Sequence, residues 1–434
     1  MRLLFCCQFY APSVGGVQEV MRELAEQLTL KGHQVTVATS QLQDRDFQSL
    51  NGVAIEGFSV SGNGVSGMTG EVSRYQQYVI DGGFDAVMVM AAQQWTFDAL
   101  WPILDRIESR KIFIPCGYSG FYEPSYAGYF EQLPAILSQL DHLVFHSTDY
   151  RDINFARSCG LKNFSVIPVG ASRSAFDAEP DDTFRSAHGI PPQSFVFFTV
   201  GTFTGLKGHL ELARAFSLLK LGKNEHATLI LNGNQVKTPA YGVSGIYRKI
   251  VHLIKVQGLR YLLKKAFSLV WPGGKDLLKT VEKINRSQVQ KVVLLTDFPR
   301  KDLTQLFMAA DLFVFASKIE YSPLVLFETA AAGTPFLSVG VGNAAEIAQW
   351  TGAGVICPST VDGKGYTQVN EEDLAVAMAE LMRAPERLEA LGRAGRKNWS
   401  EKFNWEKIAG QYEQVLMGQT AAQQERAAVA GSSA

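Results

Sequence analysis

One pattern constrains this chain more than any other, and it occurs twice: a short apolar run, a glycine-bearing loop, then a stretch with helical periodicity. The first run is 3–9, followed by a turn-rich loop at 10–16. Val17, Val20, Met21, Leu24, Ala25 and Leu28 come next, at the i, i+3, i+4, i+7, i+8, i+11 spacing of one buried helix face. Lys31 and Gly32 end that helix, and 35–38 is the next strand. Strands are expected at 86–90, 111–114, 142–145 and 165–167, with helices over 97–107 and 149–158. A polar, proline-containing stretch at 177–192 interrupts the series, which restarts with a strand at 195–200, a loop, and a helix over about 208–219. Strands at 228–231, 292–295, 312–315, 335–337 and 354–356 follow, and a last helix spans 405–416. Such alternation builds parallel sheets from βαβ units. With 434 residues there are two of them, since so long a chain exceeds one core. The expectation is two similar lobes facing one cleft, with ligands beyond the carboxyl ends of the strands.

Composition excludes several classes. Hydrophobic residues make up 46% and charged residues 19%, as in a globular protein, and a formal net charge of -1 gives no electrostatic case for nucleic acid. The five cysteines (Cys6, Cys7, Cys116, Cys159, Cys357) are scattered without a C-x-x-C pair, which fits a reducing compartment. Cys6 and Cys7 sit in an apolar run and read as buried small hydrophobes. That run is too short for a signal-peptide core, and no stretch reaches the ~18 apolar residues of a membrane span. The expected location is therefore cytoplasmic. The D-x-D at Asp44 and Asp46 lies among polar residues and reads as a solvated loop, the histidines show no metal spacing, and no G-x-S-x-G occurs.

Three segments carry candidate chemistry. Ser322 and Pro323 suit an N-cap and a first helical residue, and Gly333 with Pro335 ends that helix. Its first amides, including those of Leu324 and Val325, lack intrahelical acceptors and would attract phosphate. Glu328 is the only charge in this helix; vicinal hydroxyls, such as those of a ribose, would use both its oxygens, and a structural ion pair is the alternative. Second, Gly201, Gly205, Lys207 and Gly208 lie between a strand and a helix. Lys207 stands at the positive end of the helix dipole, where a bound anion would relieve the conflict; a solvated lysine is the alternative. Third, Gly15 and Gly16 open the first helix and could admit a phosphate or a sugar, or could simply form a tight turn.

Together these segments resemble family-4-type retaining glycosyltransferases of the GT-B fold. The residues that carry the likeness are 9–16 with Gly32, His33 and Val35; 165–170; Val200 and Gly201 with Lys207, Gly208 and His209; Ala310, Asp311 and Leu312; and Glu320, seven residues, Glu328, with 332–335. The resemblance implies an α/β fold of two Rossmann-like, doubly wound parallel-sheet domains facing a central cleft. The acceptor-side domain would be 1–185 and the nucleotide-sugar domain 186–403. A helix at 404–418 would return toward the first domain, and 419–434 would be a disordered tail. It also implies roles. Gly15 and Gly16 would lie near the donor diphosphate and the acceptor, Lys207 would neutralise the leaving diphosphate, and Glu320 would lie by the donor sugar. Gly201, Thr202, Ser322, Leu324 and Val325 would line the donor phosphates, and Glu328 would hold the ribose. The nucleotide-sugar is then a substrate, with no further cofactor and no catalytic metal, and an acceptor glycan or lipid-linked saccharide is the second substrate. Two positions depart from the family pattern: Cys116 stands where relatives carry histidine, and Thr202 where they carry arginine. Arg300, Lys301 and Arg173 are the candidate substitutes for the lost cation.

The stretch 235–290 holds eleven Lys/Arg against two acidic residues, a balance of +9 that leaves -10 for the rest of the chain. Within it, 246–270 carries two apolar stripes opposed by basic residues, which suits an anionic membrane surface; a helical hairpin with a solvated basic face is the alternative. The overall reading is a hexosyl-type transferase in cell-surface polysaccharide or glycolipid assembly, peripheral on the inner face of the membrane. A nucleotide-sugar epimerase of the same fold, or a degenerate GT-B protein that binds nucleotide-sugar or a partner transferase, are the other readings.

Overall fold

The computed structural model describes residues 1–233, 274–287 and 290–419, and the chain divides into two compact units. The first takes in Met1–Arg173, Tyr321–Leu324 and the chain from Glu401 onward; the second is Ser174–Glu320 with Val325–Ser400. The sequence places its boundaries at 185/186 and 403/404, whereas the compact units change over at Arg173/Ser174 and Ser400/Glu401. The expected amphipathic stripes at 246–270 and the tail from 420 on lie outside the described residues, as does most of the 235–290 insert.

The sheet of the first unit is built from β1 (Arg2–Cys6), β2 (Gln34–Ser40), β3 (Ser49–Leu50), β4 (Val53–Phe58), β7 (Ala86–Met90), β8 (Arg110–Ile114), β9 (His142–Phe145) and β10 (Phe164–Val166); β5 (Val60–Asn63) and β6 (Gly67–Gly70) form a separate hairpin. The order is β10, β9, β8, β7, β1, β2, β4, β3, parallel except where the two-residue β3 pairs with β4. Leu3, Leu4, Phe5 and Cys6 are wholly buried. A central parallel strand has no wet face, so its sequence cannot alternate. Between β1 and β7 the strand order reverses, so the loops that follow these two strands diverge and leave a crevice at the carboxyl edge.

The helix Gly16–Leu30 buries Val20, Met21, Leu24, Ala25 and Leu28, the face given by periodicity, and also Glu23. The helix Trp405–Leu416 packs on it. Glu413 on that helix meets Lys31 Nζ at 2.9 Å and His33 Nε2 at 2.8 Å, and Arg110 donates to the Val415 carbonyl at 2.9 Å. The helix expected over 97–107 is instead a turn of helix, Trp95–Asp98, and a 3-10 segment, Trp101–Arg106. Pro102 has no N–H to return to the Asp98 carbonyl and its ring crowds that carbonyl, so a continuous helix breaks there.

The sheet of the second unit contains β11 (Ser194–Val200), β12 (His226–Asn232), β13 (Lys291–Thr296), β14 (Leu312–Phe315), β15 (Phe336–Val339) and β16 (Gly354–Cys357), ordered β13, β12, β11, β14, β15, β16 and parallel throughout. Its order reverses between β11 and β14. Beneath the sheet lies a phenylalanine cluster, with Phe198 4.9 Å from Phe313 and 5.0 Å from Phe307, ring centre to ring centre. The helix Leu324–Ala332 is buried from Leu326 to Ala331. The helix Pro385–Asn398 closes over it through two glycines. A methyl group on Gly392 would fall inside contact distance of the Gly333 carbonyl oxygen, and one on Gly395 would lie 2.7 Å from Ala353 Cβ. Arg396, one residue on, donates to the Ala331 and Phe176 carbonyls and pairs with Asp177 at 2.8 Å.

Glycine inside a helix normally costs roughly 0.5–1 kcal/mol relative to alanine. At Gly410, where an added methyl meets nothing within 4 Å, Gly410→Ala should therefore stabilise by about that much. Gly392→Ala should instead destabilise by about 1–3 kcal/mol, the usual cost of overpacking. Denaturant midpoints of the two variants should move in opposite directions; an unshifted midpoint for Gly392→Ala would mean that the two helices are not held at this separation.

Candidate active site

At the order reversal of the second sheet, the loop after β11 (201–208) meets the loop after β14 (316–323). Gly208 makes this possible: its φ of +71° is left-handed, and a side chain there would collide with the Ala316 carbonyl. The contact is fixed by Lys318 N donating to the Leu206 carbonyl at 2.8 Å. Lys207 is thereby brought to Glu320, its Nζ donating to Oε1 at 2.6 Å while the Ser317 hydroxyl donates to the same oxygen at 2.8 Å. Lys207 is 30% exposed and Glu320 15%. The lysine stem runs along Gly201, where an added methyl would lie 3.0 Å from Lys207 Cβ and Cγ. Thr202 sits on the same loop, its carbonyl accepting from Thr204 N at 2.7 Å. Gly208 is also the cap of the helix His209–Leu218 and supplies no side-chain acceptor, so the first amides of that helix stay open.

The helix carrying Glu328 begins at Leu324, one residue later than the sequence suggests. Ser322 therefore does not cap it: its hydroxyl is buried without a hydrogen-bond partner, because Pro323 occupies the position before the helix and Ser322 stands outside it. The amides of Leu324 and Val325 remain the first of the helix. Glu328 is 8% exposed, and its Oε1 receives Arg300 Nη2 at 2.6 Å. The ion pair raised as the alternative is thus present, and one carboxylate oxygen is engaged. Of the three cations considered as substitutes, Arg300 lies beside Glu328, Arg173 belongs to the first unit and reaches Glu406 at 3.8 Å, and Lys301 is exposed.

In the first unit, Gly15 and Gly16 follow β1 at that sheet's own order reversal. Gly15 has extended backbone, which any residue adopts, and caps the helix Gly16–Leu30 without a side-chain bond. A methyl on Gly16 would meet nothing within 4 Å, and one on Gly15 would meet only the flexible end of Gln18. Neither position needs glycine for the fold. The loops after β7 and β8 hold four non-glycine residues at positive φ, namely Ala91 (74°), Gln93 (63°), Cys116 (59°) and Tyr118 (51°). Each costs on the order of 1–3 kcal/mol.

Cys116, singled out in the sequence, leads into Gly117 (φ +80°), against which the rings of Tyr150 and Tyr321 pack. Gly117 N donates to Asp152 Oδ2 at 2.9 Å, and His146 N donates to the Tyr321 hydroxyl at 2.9 Å. Burial pushes the Asp152 carboxyl up to about 6, against the opposing pull of its bonds from Tyr321 and Gly117, and pushes the His146 imidazole down to about 4. Asp152 and Tyr321 were not singled out by motif or spacing, and His146 entered only among the histidines that show no metal spacing; the one signal was the position of Tyr321 directly after Glu320. Among the described residues no group of His, Cys, Asp or Glu could hold a metal ion, and no helix is long and apolar enough to cross a membrane.

Two parallel sheets, each presenting glycine loops at its order reversal, define a GT-B protein. The family described as glycosyl transferases group 1 matches residues 180–398, half of the chain, and the chain belongs to that family. The D-inositol 3-phosphate glycosyltransferase of Segniliparus rotundus is 31% identical over 248 residues, 57% of this chain and 45% of that protein. A GDP-mannose-dependent alpha-(1-6)-phosphatidylinositol monomannoside mannosyltransferase of Mycobacterium tuberculosis is 27% identical over 164 residues, 36% of this chain and 40% of that protein. The matches thus span less than half the length of these relatives. Among solved structures, sucrose-phosphate synthase from Thermosynechococcus elongatus shares the fold, with a TM-score of 0.68 at 18% identity over 96% of this chain and 98% of that one.

The Lys207–Glu320 pair is partly solvated, and such pairs contribute little to stability. Glu320→Gln should therefore move the unfolding free energy by no more than about 1 kcal/mol. A loss of several kcal/mol in a denaturant titration would instead make the pair a structural strut.

Proposed function

We propose that this chain is a retaining, metal-independent glycosyltransferase that moves a sugar from a nucleotide-sugar onto an acceptor hydroxyl. The observation that carries the reading is the placement of Lys207 against Glu320 and Ser317 at the carboxyl edge of β11 and β14, next to a helix whose first amides have no capping side chain. A departing nucleoside diphosphate builds charge on its phosphate oxygens. A fixed ammonium and unpaired amides stabilise that charge without reorganising, each such donor lowering the barrier by roughly 2.7–4 kcal/mol in comparable sites. Glu320 and Ser317 hold the lysine in one place before the donor arrives. The bond between the anomeric carbon and the phosphate oxygen breaks, a bond to the acceptor oxygen forms, and the acceptor proton leaves with the diphosphate.

In this reading Gly201, Thr202, Ser322, Leu324 and Val325 line the donor phosphates and Glu328 holds the ribose, with Arg300 screening its charge until then. Gly15 and Gly16 offer bare backbone to phosphate or sugar, which suits two glycines that their own fold does not require. Retention and independence of metal rest on the family likeness. Assembly of a cell-surface glycan or glycolipid is favoured by the two relatives, one a D-inositol 3-phosphate glycosyltransferase and the other a phosphatidylinositol monomannoside mannosyltransferase.

Incubation with a panel of nucleotide-sugars should release nucleotide with at least one donor, unaffected by EDTA, and the product should keep the donor's anomeric configuration by NMR. Lys207→Ala should lower release by about a hundredfold, as loss of one stabilising donor does, and Glu320→Gln, which removes the carboxylate that holds the lysine in place, should lower it as well. Nucleotide affinity without release from any donor would point instead to a binding protein. The excess basic charge of 235–290 further suggests contact with anionic lipid from the cytoplasmic side. Sedimentation with vesicles containing phosphatidylglycerol should fall on deletion of 246–270, and an unchanged bound fraction would refute that contact.

A further inference from the structure

The D-x-D stretch, set aside above as a solvated loop, encloses a residue that turns inward. Asp44 and Asp46 are exposed, but the half-buried Arg45 between them spends its guanidinium on three backbone carbonyls. Its Nε donates to Ala11 O at 2.8 Å, Nη1 to Ser40 O at 3.1 Å and Nη2 to Tyr10 O at 3.4 Å. Ser40 is the last residue of β2 and is itself pinned, its hydroxyl receiving Trp95 Nε1 at 3.0 Å and its amide donating to Gln8 O at 3.0 Å. The rigid end of β2 is thus tied through one side chain to the loop that leaves β1 and delivers Gly15 and Gly16 to the helix Gly16–Leu30. Beyond the buried Tyr10 ring the loop has few other anchors: Ser13 N donates to Tyr10 O at 3.1 Å, and Gln18 Nε2 to the Ser13 hydroxyl at 3.3 Å. Among the described residues Arg45 forms no ion pair. Three diverging carbonyls need a planar fork of donors, which lysine lacks.

We propose that Arg45 is a positioning residue for sugar transfer: it locks loop 10–16 so that the bare backbone at Gly15 and Gly16, with the uncapped helix behind it, stands ready where phosphate or sugar arrives. This inference rests on the transferase reading above. A glycine loop is permissive by nature, and pre-organisation must come from elsewhere.

The test uses the intact chain and the donor that gives most nucleotide release, comparing Arg45→Lys, Arg45→Met and, as a control, Arg74→Met. Arg74 bonds Gly57 O and Glu56 elsewhere on the same sheet and touches no part of the glycine loop. Both Arg45 variants should lose about tenfold or more in kcat while KM for the donor changes less than threefold, and Arg74→Met should match the wild type. Hydrogen exchange should quicken over 8–18 but not in β7 or β8. Recovery of kcat by Arg45→Lys would show that charge rather than geometry matters, and overturns the proposal. So would release by Arg45→Met within twofold of the wild type, or loosened β7 and β8. A wild-type chain inactive with every donor removes the transferase reading and this inference with it; an active wild type with an unaffected Arg45→Met removes this inference alone.

Discussion

Gly208 has no side chain, and the second unit's site depends on that. Because nothing projects from its Cα, the loops after β11 and β14 approach until one backbone rests on the other. The consequence is chemical: a lysine and a glutamate 113 positions apart in the chain meet at 2.6 Å. Order reversal in the sheet opens the crevice, and the absent methyl group narrows it to ion-pair distance. The surrounding phenylalanine cluster and the two glycines under the Glu328 helix fix how far the elements carrying these loops can shift.

The first unit stores a different kind of tension. Glu23, Asp98 and Asp152 are buried, and burial pushes their carboxyl groups up to about 7, 6 and 6. Each folded value lies above its ordinary one, so folding takes up protons. The associated stability is complete near pH 4 and is surrendered as pH climbs through 6 to 7. Added to four non-glycine residues in left-handed backbone, this marks the loops after β7 and β8, where Asp98 follows closely, as a region held by its surroundings rather than by its own preferences.

Central strands and the first helix face were legible because burial on both sides or on one side leaves a direct imprint on residue order. Lys207 and Glu320 were legible as members of motifs, but their mutual bond was not, since no local pattern encodes a contact between separate loops. The same holds for Tyr321 and the His146 amide, 175 positions apart. Pro102 stood inside the stretch 97–107 read as one helix, and its missing N–H divides that stretch into a helical turn and a 3-10 segment. Ser322 shows the limit of cap signatures: the right residue one step too early caps nothing. Arg45 was hidden by its neighbours, because the polar residues around the D-x-D made the whole triplet read as a solvated loop.

The first unit is not contiguous in the gene. The helix Gly16–Leu30 packs against the helix Trp405–Leu416, so a ribosome emitting the chain from its amino end releases the first helix long before this partner exists. The second unit, whose residues lie between, can close first. The half that begins synthesis is therefore the last to be completed, and throughout that interval its first helix presents apolar surface of the kind chaperones shield.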